Sequence, residues 1–344
     1  MKQRNILVGF RLNDALVQQI ESVHPGVRVH LVAEEIGALL GRGARGVPGL
    51  GEASEEDRTR AESRLAPLLE EAEVFFGIRV LPDLVARSPH LRWVQLVAHG
   101  IDQIHGDIMD GGVTVTTGRG NYAPVIAEHV LLLMLMLMRQ TPLLAVQQGE
   151  RRWQRLYPGE MEGKVVGLVG LGSIGMAVAR AAQGFGMRVL AVKRTAFTGE
   201  DFPNIDQLMP PESLNTLLGS SDFVVLGLPL TTDTRHIIGR EELRAMKPSA
   251  YLINVARGGV MDDSALAEAL REGWIAGAGL DVFEEEPLPP HSPLWNMPNT
   301  IITPHMAGLS DRFVERGTSL FCENLGRYIR GEPLMNVLDL QRGY

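Results

Sequence analysis

The chain has 344 residues, 45% of them hydrophobic and 22% charged, with a formal net charge of −8. That length allows two domains with sizeable cores, the composition is ordinary for a globular protein, and the acidic balance argues against a nucleic-acid partner. Cys322 is the only cysteine, so no internal disulfide or thiolate metal site is expected, and a reducing, cytoplasmic setting is.

Basic residues and a short apolar run open the chain, and Asn5 to Phe10 reads as a first strand rather than a signal peptide. Asp14 to Ser22 reads as a helix and Val27 to Ala33 as a strand, and the Gly-, Ala- and Arg-rich stretch from Gly37 to Glu52 reads as a loop. Glu55 to Ala72 is a charged amphipathic helix, Val74 to Gly77 a strand, Leu81 to Ala86 a short helix and Trp93 to Val97 a strand. Ala98, His99 and Gly100 follow that strand. A glycine turn there can present backbone N–H groups to a carboxylate, or it can simply join strand to helix.

Val113 to Thr116 reads as a strand and Asn121 to Arg139 as a long helix, with Pro124 in its first turn. Its apolar run, Val130 to Met138, is about half the length of a membrane span, so a fully buried helix at a domain or subunit junction is expected. Gly149 to Gly163 reads as a loop leading to Val165–Val169, an apolar strand that runs into Gly170-Leu-Gly172-Ser173-Ile174-Gly175 and then a helical pattern from Met176 to Phe185. A strand, a G-x-G-x-x-G turn and a helix N-terminus together form a pyrophosphate cradle. Met187 to Val192 is the next strand. Where an acidic residue would hold the ribose of NAD, the sequence has Lys193, Arg194 and Thr195. Two cations and no carboxylate favour the 2′-phosphate of NADP(H), with NAD(H) possible if the cations turn to solvent.

The alternation continues with helices at Pro211–Leu218, Glu241–Met246 and Asp262–Arg271, the last with Asp262 as N-cap. The strands between and after them are Asp222–Leu228, Tyr251–Val255, Ile275–Val282 and Thr300–Thr303. Continuous apolar strands alternating with helices indicate a parallel sheet covered on both faces. Arg257, Glu286 and His305 each follow one of three successive strands, where such sheets carry their chemistry. The amphipathic helix Arg312–Arg330 ends the fold, and 331–344 reads as a tail packed on the first domain.

These motifs resemble the D-isomer-specific 2-hydroxyacid dehydrogenases. The resemblance runs through the glycine turn, Gly186-Met187, Ser221-Asp222-Phe-Val-Val, Pro229-Leu-Thr-Thr-Asp-Thr234, Lys247-Pro248, Asn254-Val-Ala-Arg-Gly-Gly259, Gly279 to Leu288 and Thr303-Pro-His305, and more loosely through Gly100-Ile-Asp102 and Asn121 to Arg139. It implies an α/β fold of two Rossmann-like domains. A central, doubly wound, parallel-sheet coenzyme domain (117–310) would be inserted in a smaller flavodoxin-like substrate domain (1–116 and 311–344). A homodimer built on the coenzyme domains is also implied.

Carried over, the resemblance makes Arg257, Glu286 and His305 catalytic, and gives the substrate carboxylate to the Ala98–His99–Gly100 backbone and Arg257. It assigns the nicotinamide carboxamide to Asp281, and further cofactor contacts to Leu228, Pro229, Thr234, Val255 and Ala256. Ala98-His99 departs from the Ser or Gly common in the family, which changes the side-chain surroundings of the substrate. As hydride reaches a 2-oxo acid, His305 would donate the proton, Glu286 would orient the imidazole and favour its charged form, and Arg257 would polarise the oxygen. A glyoxylate- or hydroxypyruvate-like substrate and no membrane partner are expected. Glu286 argues against formate oxidation, where a glutamine is typical. Phosphite oxidation, another NAD-linked 2-hydroxyacid oxidation and a non-enzymatic, corepressor-like dinucleotide sensor are the alternatives.

Overall fold

The computed structural model describes residues 3–41, 53–98, 100, 104, 107–110, 112–194 and 202–339. The chain divides into two compact units, Met1–Tyr122 with Ser310–Tyr344, and Ala123–Leu309.

The first unit opens with β1 (Arg4–Val8), α1 (Asp14–Glu21), β2 (Val27–Leu31), α2 (Ala33–Leu40), α3 (Glu55–Glu71) and β3 (Ala72–Gly77). It continues through α4 (Leu84–Arg87), β4 (Trp93–Leu96), α5 (Asp107–Asp110) and β5 (Thr114–Thr116). The strands form one parallel sheet in the order β2-β1-β3-β4-β5, the flavodoxin-like order. Side-chain caps start two of the helices: Asn13 accepts from Leu16 N, and Ser54 from Asp57 N. Every residue of β3 is buried, as a strand covered on both faces requires.

Residues 37–40, read above as loop, are the end of α2. Ile36 is buried, Leu39 and Leu40 pack on the core, and Arg79 donates to the carbonyls of Leu40 and Gly41 at 2.9 and 2.6 Å. Tertiary packing and a cation at the helix C-terminus outweigh the glycine-rich composition. The rest of that stretch, 42–52, lies outside the described residues.

The second unit holds α6 (Ala123–Met138), α7 (Thr141–Gly149), β6 (Val165–Val169), α8 (Ser173–Gln183), β7 (Arg188–Val192), β8 (Gln207–Met209) and α9 (Leu214–Ser220). It continues with β9 (Phe223–Leu226), α10 (Arg240–Ala245), β10 (Tyr251–Asn254), α11 (Asp263–Glu272), β11 (Gly277–Leu280) and β12 (Thr300–Ile302). All seven strands are parallel, in the order β12-β11-β10-β9-β6-β7-β8. Counted from β6, this is the dinucleotide-binding order with one strand added at the edge. The direction of winding reverses between β6 and β9, and β10, β11 and β12 lie side by side.

On α6, Val130, Leu133 and Met134 are buried within the single chain, and Leu132 is 49% exposed. No single helix among the described residues is long and apolar enough to cross a membrane.

The chain then returns to the first unit through α12 (Phe313–Arg330). Asn324 on α12, fully buried, joins Gln95, Thr116 and Trp93 in a polar network inside that core. The tail behind α12 is pinned to β5, with Leu338 N donating to Val115 O at 2.9 Å.

Candidate active site

The glycine turn sits where the sheet reverses. Gly170 has φ 100, and a Cβ there would lie 2.8 Å from Gly227 O at the end of β9. A Cβ at Gly175 would lie 2.6 Å from Gly170 O, so a side chain at either position would push the turn off the strand ends. At Gly172 the reverse holds: a Cβ would meet nothing within 4 Å. Gly172 also caps α8 without any side-chain hydrogen bond, so the first N–H groups of the helix, including those of Ser173 and Ile174, border open space. A phosphate fits there by charge and by room.

Beyond β7, the ammonium of Lys193 lies 4.3 Å from the Phe202 ring centroid, and Arg194 pairs with Asp233 at 3.8 Å. Thr195 lies outside the described residues. Past β9, Thr234 builds its own turn: its hydroxyl donates to Pro229 O and accepts from Thr231 N, both at 2.7 Å. Leu228 is half-buried, and Val255 and Ala256, past β10, are buried.

The three polar residues read from the sequence follow the adjacent strands β10, β11 and β12. The structure brings two of them into direct contact: His305 Nδ1 lies 2.7 Å from Glu286 Oε2. Glu286 Oε1 accepts from Phe283 N at 3.2 Å, which fixes the carboxylate from behind. Arg257 is set by buried Asn254, whose side chain accepts from Ala256 N at 3.1 Å and donates to Arg257 O at 3.2 Å. The Arg257 guanidinium donates to Ala256 O at 2.7 Å. Its turn is pressed against the Glu286 loop, because a Cβ on Gly258 would lie 1.8 Å from the carbonyl carbon of Phe283. In the first unit, Ala98 and Gly100 follow β4, and His99 lies outside the described residues.

Asp281 shows a structural duty beyond the contact expected of it. It is 1% exposed, and Oδ1 accepts from Thr303 Oγ1 at 2.5 Å and from Met306 N at 2.9 Å. Its Oδ2 accepts from Ala307 N at 2.8 Å, and its own carbonyl accepts from His305 N at 2.8 Å. One carboxylate thus gathers the turn that carries His305, whose φ of 50 places it in the left-handed region.

His129 on α6 completes this network and was not singled out by the sequence. Its Nε2 lies 3.0 Å from Thr303 Oγ1. A carboxylate only accepts, so the Thr303 proton points to Asp281 and His129 Nε2 must be the donor. Burial lowers the His129 pKa and Asp281 opposes the shift. A histidine inside an apolar helix carries no local signal for such a role, because its partner Thr303 lies 174 residues away.

The match to the family model described as "D-isomer specific 2-hydroxyacid dehydrogenase, NAD binding domain" covers residues 131–307. A glyoxylate reductase of Korarchaeum cryptofilum is 39% identical over 73% of this chain and 77% of its own length. The chain belongs to the D-isomer-specific 2-hydroxyacid dehydrogenase family. A glyoxylate/hydroxypyruvate reductase B of Pectobacterium carotovorum is 37% identical to this dehydrogenase, over 80% of the chain and 88% of the relative. Among solved structures, a D-isomer-specific 2-hydroxyacid dehydrogenase of Xanthobacter autotrophicus, in complex with NADPH and MES, superposes with a TM-score of 0.77 at 30% identity, covering all of both chains. As an enzyme of this family, the dehydrogenase uses a nicotinamide cofactor.

Two predictions follow from the loops. Gly258→Ala forces backbone against backbone, so it is expected to lower the melting temperature and to cut turnover by at least about tenfold. Burial pushes the Asp263 carboxyl up to about 6 from the ordinary 3.8. The folded state therefore holds that proton more tightly than the unfolded chain, and stability falls as pH rises through this window. Asp263→Asn is expected to raise the melting temperature by a few degrees above about pH 7 and to leave it unchanged below about pH 4, as a thermal-melt series across pH will read.

Proposed function

We propose that this dehydrogenase reduces a small 2-oxo acid of the glyoxylate or hydroxypyruvate kind to the D-2-hydroxy acid with NADPH. The observation that carries the reading is His305 Nδ1 on Glu286 at 2.7 Å. With Nδ1 committed to a carboxylate, the ring is held in one orientation and Nε2 is the nitrogen that can hand a proton to substrate. The bound nicotinamide supplies the hydride. His305 donates the proton to the carbonyl oxygen as negative charge builds there, Glu286 keeps the ring oriented, and Arg257 draws on the same oxygen and the substrate carboxylate. The backbone at Ala98, His99 and Gly100 takes that carboxylate, a role supported by its place past the carboxyl end of β4. Asp281 Oδ2 accepts only from Ala307 N among the described residues; its spare accepting capacity suits the carboxamide.

The preference for NADPH is supported by Lys193 and Arg194 at the end of β7, where an acidic residue would repel a 2′-phosphate. The NADPH complex of the Xanthobacter relative points the same way. The two glyoxylate reductase relatives support the substrate class.

The Ala123–Leu309 unit also exposes Leu132, Leu143, Leu144 and Val146 at 42–53%, and Trp153 and Tyr157 above 90%. So much apolar surface on neighbouring segments fits a covered face, and a homodimer joined through α6, α7 and the segment after them is part of the proposal.

A spectrophotometric screen of 2-oxo acids, with NADPH and NADH in parallel, tests the reading. Turnover of a small 2-oxo acid is expected, faster with NADPH. His305→Ala is expected to cut kcat by about 10²–10⁴. Undiminished turnover in His305→Ala would contradict the assignment, as would oxidation of phosphite alone. Light scattering is expected to give the mass of a dimer, and Trp153→Glu with Val146→Glu to shift it toward monomer.

A further inference from the structure

The loop that carries Glu286 holds a second carboxylate engaged in the same manner. Glu286 binds the imidazole of His305, and Glu284, two residues earlier, binds the imidazole of His236. Both histidines have a left-handed backbone, with φ 50 at His305 and 51 at His236. For a residue with a Cβ this conformation is costly and persists only where the surroundings hold it. His236 is held on its main chain as well, its N–H donating to Gly259 O at 2.9 Å. Asp263, in the first turn of α11, stands behind the pair: its Oδ2 accepts from Glu284 N at 3.0 Å. Its Oδ1 is buried and takes no hydrogen bond among the described residues.

These contacts close a ring around the catalytic loops. The 229–238 segment past β9 touches the turn past β10 through His236 N and Gly259 O. That turn touches the loop past β11 through Gly258 and Phe283. The loop past β11 returns to the first segment through Glu284 and His236, and is tied to α11 through Asp263. Glu286 is bonded inside the ring, to Phe283 N and His305. An isolated surface ion pair contributes little. This one joins two segments that a functional site must keep in register, and a supporting shell of this kind is what holds reacting groups to within fractions of an ångström.

We propose that His236, Glu284 and Asp263 form a clasp that positions Glu286 on His305 and couples that pair to the 229–238 segment. The inference rests on reading Glu286 and His305 as the proton-donating pair. The three act through Glu286, so they are positioning residues. The charged groups around the clasp are Asp262 and Asp263 on the α11 side, Glu284 and Glu285 on the loop, and Arg235 beside His236.

The test compares kcat and KM for 2-oxo acid reduction in the wild type, His236→Ala, Glu284→Gln, the double variant and Glu285→Gln, with melting temperatures recorded for each. Both single variants are expected to lower kcat by about tenfold with KM little changed, because a loosely placed Glu286 no longer holds the His305 ring in line. The double variant is expected to be no worse than the poorer single one, and His236→Gln, which keeps a donor, to recover part of the loss. Glu285→Gln removes the same charge one residue away and is expected to match the wild type. Wild-type kcat in both single variants would overturn the clasp, as would losses that add in the double variant or an equal loss in Glu285→Gln. His305→Ala run alongside separates the two failures: its full turnover would remove the underlying reading, whereas its loss beside wild-type behaviour in His236→Ala would remove only the clasp.

Discussion

The chemistry available to the Ala123–Leu309 unit depends on one contact, the Nδ1 of His305 against a carboxylate oxygen of Glu286 at 2.7 Å. An imidazole alone is a weak and freely turning acid. Paired, it has one orientation and a defined tautomer. Much of the surrounding structure serves that pair. Asp281 gathers the turn beneath His305, Phe283 N fixes Glu286, and the missing side chain of Gly258 lets the arginine turn close on the same loop. Three adjacent parallel strands deliver the three segments to one edge of the sheet, which is why residues far apart in the chain can act together.

Much of this was legible in the sequence because parallel strands and glycine turns have strong local signatures. The run Val165–Val169 followed by Gly170, Gly172 and Gly175 specifies strand, turn and helix by steric need alone, and the structure shows the clash each replacement would meet at Gly170 and Gly175. Glu286 and His305 could be singled out because each lies a few residues past the end of a strand. Asp262 as the cap of α11 was visible from its position, and its side chain does accept from Ser264 N and Ala265 N.

What stayed hidden depends on contacts that no local pattern encodes. The end of α2 is held by Arg79 and by core packing across some forty residues, so composition pointed to a loop. The three-residue strand β8 exists only as a sheet edge on β7. His129 lies in an apolar helix and finds Thr303 only in the folded unit. Glu284 lies in a local run of three glutamates, and only the fold brings His236 and Asp263 to it.

The most direct test of the central contact is the NMR signal of the His305 Nδ1–H in ¹⁵N-histidine-labelled protein, wild type against Glu286→Gln, measured alongside turnover. The account predicts a strongly hydrogen-bonded Nδ1–H in the wild type, and in the variant a weakened one with turnover lowered by at least about tenfold. Superimposable Nδ1–H signals, with turnover unchanged in Glu286→Gln, would contradict it.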